Sequence, residues 1–242
     1  VNIMQSVGNL GVANVAASSI SLSAPGGAIT QTGALVTRGL LNAQSLNGAT
    51  LNDSGNRIGS FSAASTGPGH ISLTNIGVLD VKGINAVNGN IRLVNTGGIR
   101  TSGPVLAPKG SISMTANSPL TIGDSGVSAA GDIALTATNL TSAGDLTING
   151  PVNSTAGAVV FNAANNYVQN SSVVAAIGVT VSAGGTVTFG PAATTVGSPV
   201  SFTANGLPVS SPNTTPTSPT SPTSPTSPTS PTSPASATPV VL

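Results

Sequence analysis

The stretch NGNIRLVNTGGI, residues 88–99, decides the fold. A glycine-bearing turn leads into Ile91-Arg92-Leu93, where apolar and polar residues alternate as in a strand with one face buried. The same short phrase recurs as GHISLTNIGVL from residue 69, GSISMTANSPL from residue 110 and GDIALTATNL from residue 131. The leading aliphatics Ile71, Ile91, Ile112 and Ile133 follow one another at a nearly constant step, and Val159, Val179 and Val200 continue at that step. Upstream, SISLSAPGGAI at 19–29 has the same form. Two departures stand out. The step from Ile133 to Val159 is longer than the others, and GDLTI at 144–148 reads as an extra phrase inside it. LLNAQSLNGATLNDSGNRIGSFSA, 40–63, is less regular, so Leu40–Gly59 is read as an extra-coil loop and a candidate contact site.

Within each period, two or three runs of three to five residues are separated by Gly, Asn or Pro. No segment sustains the i, i+3, i+4, i+7 apolar pattern of a helix. A fixed period of short strands fits a stacked coil better than a β-sandwich, whose strand spacing varies. The expected fold is all-β: a right-handed parallel β-helix over 1–206, followed by a disordered Pro/Thr/Ser-rich tail over 207–242. Inward residues of successive coils would form aliphatic ladders, with Ser, Thr and Asn outside and Gly or Asn at the corners. The tail holds ten of the chain's 18 prolines and repeats Pro-Thr-Ser, a composition for an extended solvated spacer.

Composition narrows the function classes. Charged residues are 5% and aromatics 2% of the 242, and cysteine is absent. A net charge of +1 gives no overall electrostatic case for nucleic acid or an anionic membrane. All six basic residues lie between Arg38 and Lys109. The start, VNIMQ, lacks the basic and apolar regions of a signal peptide, and the chain is expected to be a mature or internal part of a longer protein if it is secreted.

No constellation of residues points to catalysis, a cofactor or a metal. His70 is the sole histidine and is read as solvent-facing in a glycine turn. Polysaccharide-cleaving β-helices need grouped carboxylates with a nearby base. The acids here are Asp53, Asp80, Asp124, Asp132 and Asp145. Asp124 and Asp145 are one period apart and could stack on adjacent coils, although aspartates in such Gly- and Ser-rich contexts are commonly turn formers. Binding to ice or a mineral would need regular outward threonine ranks, and Thr136-Ala137-Thr138 and Thr186-Val187-Thr188 do not recur at coil spacing. Asn139, Asn153, Asn170 and Asn213 each begin an Asn-x-Ser/Thr triplet.

The ordered series NRIGSFSA, ISLTN, LDVKG and NGNIRL with a following GGI, together with the looser GDIALTA and GDLTING, resembles the repeats of filamentous haemagglutinin-type exoproteins over residues 20–205. That resemblance implies a shaft segment of a bacterial surface protein exported by two-partner secretion, secreted or held at the cell surface. Such a segment is non-enzymatic. It mediates adhesion, or projects a binding or toxin region, and its implied partners are a receptor or glycan on a host or neighbouring cell and an outer-membrane transporter. No NPNG-type secretion motif is visible. The alternative function is a polysaccharide-degrading β-helix enzyme.

Overall fold

The computed structural model describes residues 1–140, 144–210 and 214–215. Its described residues form strands and turns with no helix. The strands pair in parallel, each with the strand one coil earlier and one coil later, and so build a β-solenoid. One ladder runs the length of the rod: Leu10, Ile29, Ala49, Ile71, Ile91, Ile112, Ile133, Val159, Val179 and Val200 occupy equivalent places on ten successive coils. The rise per coil is the spacing of paired strands, about 4.8 Å, which makes the stack about 50 Å long.

Each coil has three faces. The first carries the five-residue strands such as Ile71–Asn75 and Ile91–Asn95. The second carries Ile99–Thr101, Leu120–Ile122 and their equivalents, and the third carries Val105–Ala107, Val127–Ala129 and theirs. In the early coils the second and third faces are continuous, because Leu35–Ser45, Arg57–Ser65 and Leu79–Ala86 each run round the corner between them. Register irregularities between Thr37 and Leu40 and between Val81 and Gly83 mark where these strands bend.

Period-2 alternation explains the packing. In IRLVN, Ile91 and Leu93 are buried while Arg92 is exposed. Stacking then places like on like: Leu51, Leu73, Leu93, Met114, Leu135, Phe161, Val181 and Phe202 form a second aliphatic and aromatic ladder beside the first. On the third face small residues fill the inner corner, as in Ala107, Ala129, Ser154 and Ala175. No single coil encloses its apolar edge, so cohesion resides in the stacking.

Two expectations need correction. Leu40–Gly59 is not an extra-coil loop: Leu41 to Ser45 pairs with Ile20 to Ala24, and Ala49 and Thr50 pair with Ile29 and Thr30. The stretch looked irregular because alanine stands where other coils carry isoleucine and because the corner at 52–56 turns Asn56 inward, where it is fully buried. Nor is GDLTI an extra phrase. Leu146–Ile148 is the normal second-face strand, in register with Leu120–Ile122. The additional residues instead fall in the connection between Ile133–Ala137 and Leu146–Ile148, where Leu140 is 87% exposed and 141–143 lie outside the described residues.

At the last coil, Ala204-Asn205-Gly206-Leu207 makes a two-residue hairpin, with positive φ at Asn205 and Gly206, and Leu207–Pro208 folds antiparallel onto Val200–Ala204. The expected tail therefore begins in a strand, and the rest of it lies outside the described residues save 209–210 and the short strand Thr214–Thr215.

Candidate functional site

Apart from Asp80, which lies in the strand Leu79–Ala86, the aspartates and His70 sit at the corners, and most are engaged in holding one coil to the next. The residue just before a strand repeatedly accepts a backbone N–H from the following coil. Asn9 Oδ1 accepts from Ala28 at 2.9 Å, Asn90 Oδ1 from Ser111 at 2.9 Å and Asp132 Oδ1 from Ala158 at 2.9 Å. His70 occupies the same place and uses Nδ1 to accept from Asn90 N–H at 2.9 Å, so its exposed ring is a corner staple. On the next corner, Asp145 Oδ1 accepts from the backbone of Asn166 at 3.1 Å and from the side-chain amide of Asn165 at 2.8 Å. Asp53 Oδ1 closes its own turn on Gly55 N–H at 2.8 Å.

Asp124 and Asp145 do not stack. Leu120 pairs with Leu146, and Leu120 N–H donates to Asp145 O, so Asp145 lies beside the start of that strand. Asp124 lies at its far end, against Gly150. The longer connection falls between the two aspartates and lengthens the coil step there, so one ordinary period along the chain no longer returns to the same place on the rod. The five carboxylates are thus dispersed along the rod. Among the described residues no group of three or more His, Cys, Asp or Glu side chains converges.

The one ion pair among the described residues joins Lys82 Nζ to Asp80 Oδ2 at 2.6 Å, while Ser102 Oγ donates to Asp80 Oδ1 at 2.6 Å. Partial burial works to raise the Asp80 pKa, but hydrogen bonds from Lys82 and Ser102 and the nearby charges of Lys82 and Arg100 outweigh it and hold the carboxyl below its ordinary value. Open to solvent on both sides, the pair adds little stability.

Polar groups also line the interior, which sequence reasoning missed. Gln31, Asn56, Asn75 and Asn95 form a stack inside one corner. Asn56 Nδ2 donates to Leu51 O and Thr74 O, both at 3.0 Å, and its Oδ1 accepts from Leu35 N–H. Asn75 Oδ1 accepts from Ile58 N–H at 2.7 Å. Further along, Tyr167 Oη donates to Gln169 Oε1 at 3.0 Å, and Gln169 Nε2 donates to Thr195 Oγ1 at 3.1 Å. Burial pushes the Tyr167 pKa well above its ordinary value. The signal in the sequence was the asparagine closing both ISLTN and IRLVN, one coil apart. Gln31 is half-buried, and the others are enclosed with their hydrogen bonds made, so they are structural.

Among the described residues the surface offers shallow grooves; one, of about 280 Å³, runs between Arg92 and Asp132 over the first face. Outward hydroxyls on that face recur more than the sequence suggested: Thr30, Thr50 and Ser72 stack, as do Thr115 and Thr136. Arg92, Val94, Ala134 and Val160 interrupt both ranks, so the array is not continuous. All four phenylalanines and the tyrosine point inward or are partly covered, leaving no exposed ring for a sugar or base to stack on. Of the Asn-x-Ser/Thr sites, Asn153 projects from the third face and Asn170 donates to Asn149 Oδ1 at 2.9 Å; Asn139 lies in the connection after Ile133–Ala137, and Asn213 lies outside the described residues. No protein-family model, no curated protein and no solved structure matches the chain.

Proposed function

We propose that this chain is a rod-forming segment of a bacterial surface or secreted exoprotein, acting through extended faces to space, display or adhere. The observation that carries this reading is the assignment of its scarce polar groups: Asp132, Asp145, Asn90 and His70 hold coil to coil and converge on no reaction centre. The repeat order that resembles filamentous haemagglutinin-type proteins supports the same assignment and motivates export by an outer-membrane transporter and a receptor or glycan on a host or neighbouring cell as the surface met. Adhesion by such a rod is distributed over many exposed side chains.

The test is binding of the labelled full chain to epithelial cells and to bacteria, against an unrelated β-solenoid of matched charge, with reducing-end release from a polysaccharide panel measured in parallel. Saturable cell binding without depolymerisation is expected. Depolymerisation abolished by a single aspartate substitution would replace this reading with that of a polysaccharide-degrading enzyme.

A further inference from the structure

In a chain with 5% charged residues, the position of each charge carries information. Four of the six cations lie on the second face and its corner with the third, one on each of four successive coils: Arg38, Arg57, Lys82 and Arg100. Register fixes the arrangement. Arg57 stacks beside Val36, two residues before Arg38, and Arg100 stacks directly on Asp80, two residues before Lys82. All four are exposed. Lys82 is paired with Asp80, whereas the three arginines have no carboxylate within ion-pair distance among the described residues. Asp53, at the preceding corner, and Asp124, one coil beyond Arg100, are the other acids near the patch, and Asp53 is committed to its turn. Beyond Arg100 the same rank continues as Thr121 and Thr147 and carries no charge. Charges placed for solubility alone would be spread over ten coils.

We infer that this face is a binding strip for a linear polyuronate, a polysaccharide bearing one carboxylate per sugar, laid along the rod axis. Three of the four cations are arginine, whose planar fork matches a carboxylate bidentately. One cation falls on each of four successive coils, each coil rising by about 4.8 Å. The cations are staggered across the face, since Ser60 rather than Arg57 stacks on Asp80 in line with Arg100. An extended polyuronate, with a carboxylate on every sugar, offers partners to both sides of such a staggered strip. Ser60, Ser102 and Thr121 stand beside them to meet sugar hydroxyls. A shallow groove of about 220 Å³ next to Arg100, lined also by Ser102, Thr121, Asp124 and Asn149, gives the chain a place to settle. Single-stranded nucleic acid fits less well, because its binding draws on exposed aromatic rings that this surface lacks. The inference rests on the rod reading and names the chemistry that one face of the rod recognises.

The experiment uses the full chain over immobilised polygalacturonate, with fully methyl-esterified polygalacturonate, dextran and oligo-dT as comparison probes. Saturable binding to polygalacturonate is expected, lost on esterification and weakened by salt. The double variant R57S/R100S is expected to bind at least tenfold more weakly, while R92S/K109S, which removes two cations from other faces, stays within twofold; circular dichroism confirms that both variants fold. No binding to polygalacturonate, equal loss in the two variants, or oligo-dT bound as tightly overturns the inference. Cell binding that persists in R57S/R100S would sink this inference as the basis of adhesion and leave the rod reading standing.

Discussion

Asn75 Nδ2 donates to Asn95 Oδ1 at 3.1 Å across one coil step, inside the rod and out of reach of water. The same amide donates to Ile58 O at 3.2 Å and its oxygen accepts from Ile58 N–H, so Asn75 closes backbone groups that no strand partner serves. An unsatisfied buried polar group costs about 1–3 kcal/mol. Asn75→Ala is therefore expected to lose about 2–4 kcal/mol in urea unfolding, an effect that combines two stranded backbone groups and a small void. Ser113→Ala, on the outside of the first face, should stay within about 0.5 kcal/mol. A loss below about 1 kcal/mol for Asn75→Ala would show that water replaces the amide.

Glycine at two positions leads to opposite expectations. A Cβ on Gly69 would lie 1.8 Å from Asn47 C, backbone against backbone, because successive corners touch there. Gly69→Ala must force the corner apart and should destabilise by about 1–3 kcal/mol or more. Gly11 lies in an extended strand with only Thr30 Oγ1 near, at 4.0 Å. Gly11→Ala should be neutral or stabilise by about 0.5 kcal/mol by reducing the freedom of the unfolded chain. Thermal unfolding of the two variants side by side decides it.

Tyr167 links pH to stability at the alkaline end. Its phenol is buried and its pKa is raised in the fold, above the value of about 10 that it takes in the unfolded chain. Between those two values the unfolded chain gives up the proton and the folded chain keeps it. Stability is thus complete below the unfolded value and declines as pH rises above it. Phenolate absorbance should be missing from the folded protein at pH 10.5 and appear only with unfolding. Tyr167→Phe should flatten this alkaline decline while costing about 1 kcal/mol for the lost bond to Gln169.

Corner staples separate a structural aspartate from a catalytic one. Asp132→Asn keeps an oxygen acceptor for Ala158 N–H and should leave stability within about 0.5 kcal/mol, whereas Asp132→Leu should cost about 1 kcal/mol. His70→Asn should be tolerated in the same way, since Asn90 already performs that role one coil later. Chemical denaturation reads all three variants. An Asp132→Leu variant as stable as the parent would remove the staple from the account of this corner.

The period was legible because Ile71, Ile91, Ile112 and Ile133 repeat an aliphatic at one inward place, and parallel stacking rewards that repetition. Ala49 escaped notice because burial on a narrow coil accepts a methyl group as readily as a larger chain, so hydrophobicity alone did not mark the rung. Asn56, Asn75 and Gln169 were hidden for the opposite reason: an amide reads as surface until its partners, a coil away in space and a full period away in sequence, are known. The arginine face was hidden by register. Arg38 and Lys82 sit in the strand irregularities after Thr37 and Val81, Arg57 pairs with Val36 and Arg100 with Asp80, so no cation repeats at one place in the period and the sequence shows no rank.

The ten-rung ladder from Leu10 to Val200 makes length an additive property of this protein. Removing one in-register coil, such as 91–111, should shorten the rod by a single rise of about 4.8 Å and leave its cross-section intact. The hydrogen bonds between coils run along the axis, so a pull at the two ends tugs on one row at a time. Under load the rod should yield stepwise, one coil after another, as a tether that lengthens in fixed increments instead of snapping.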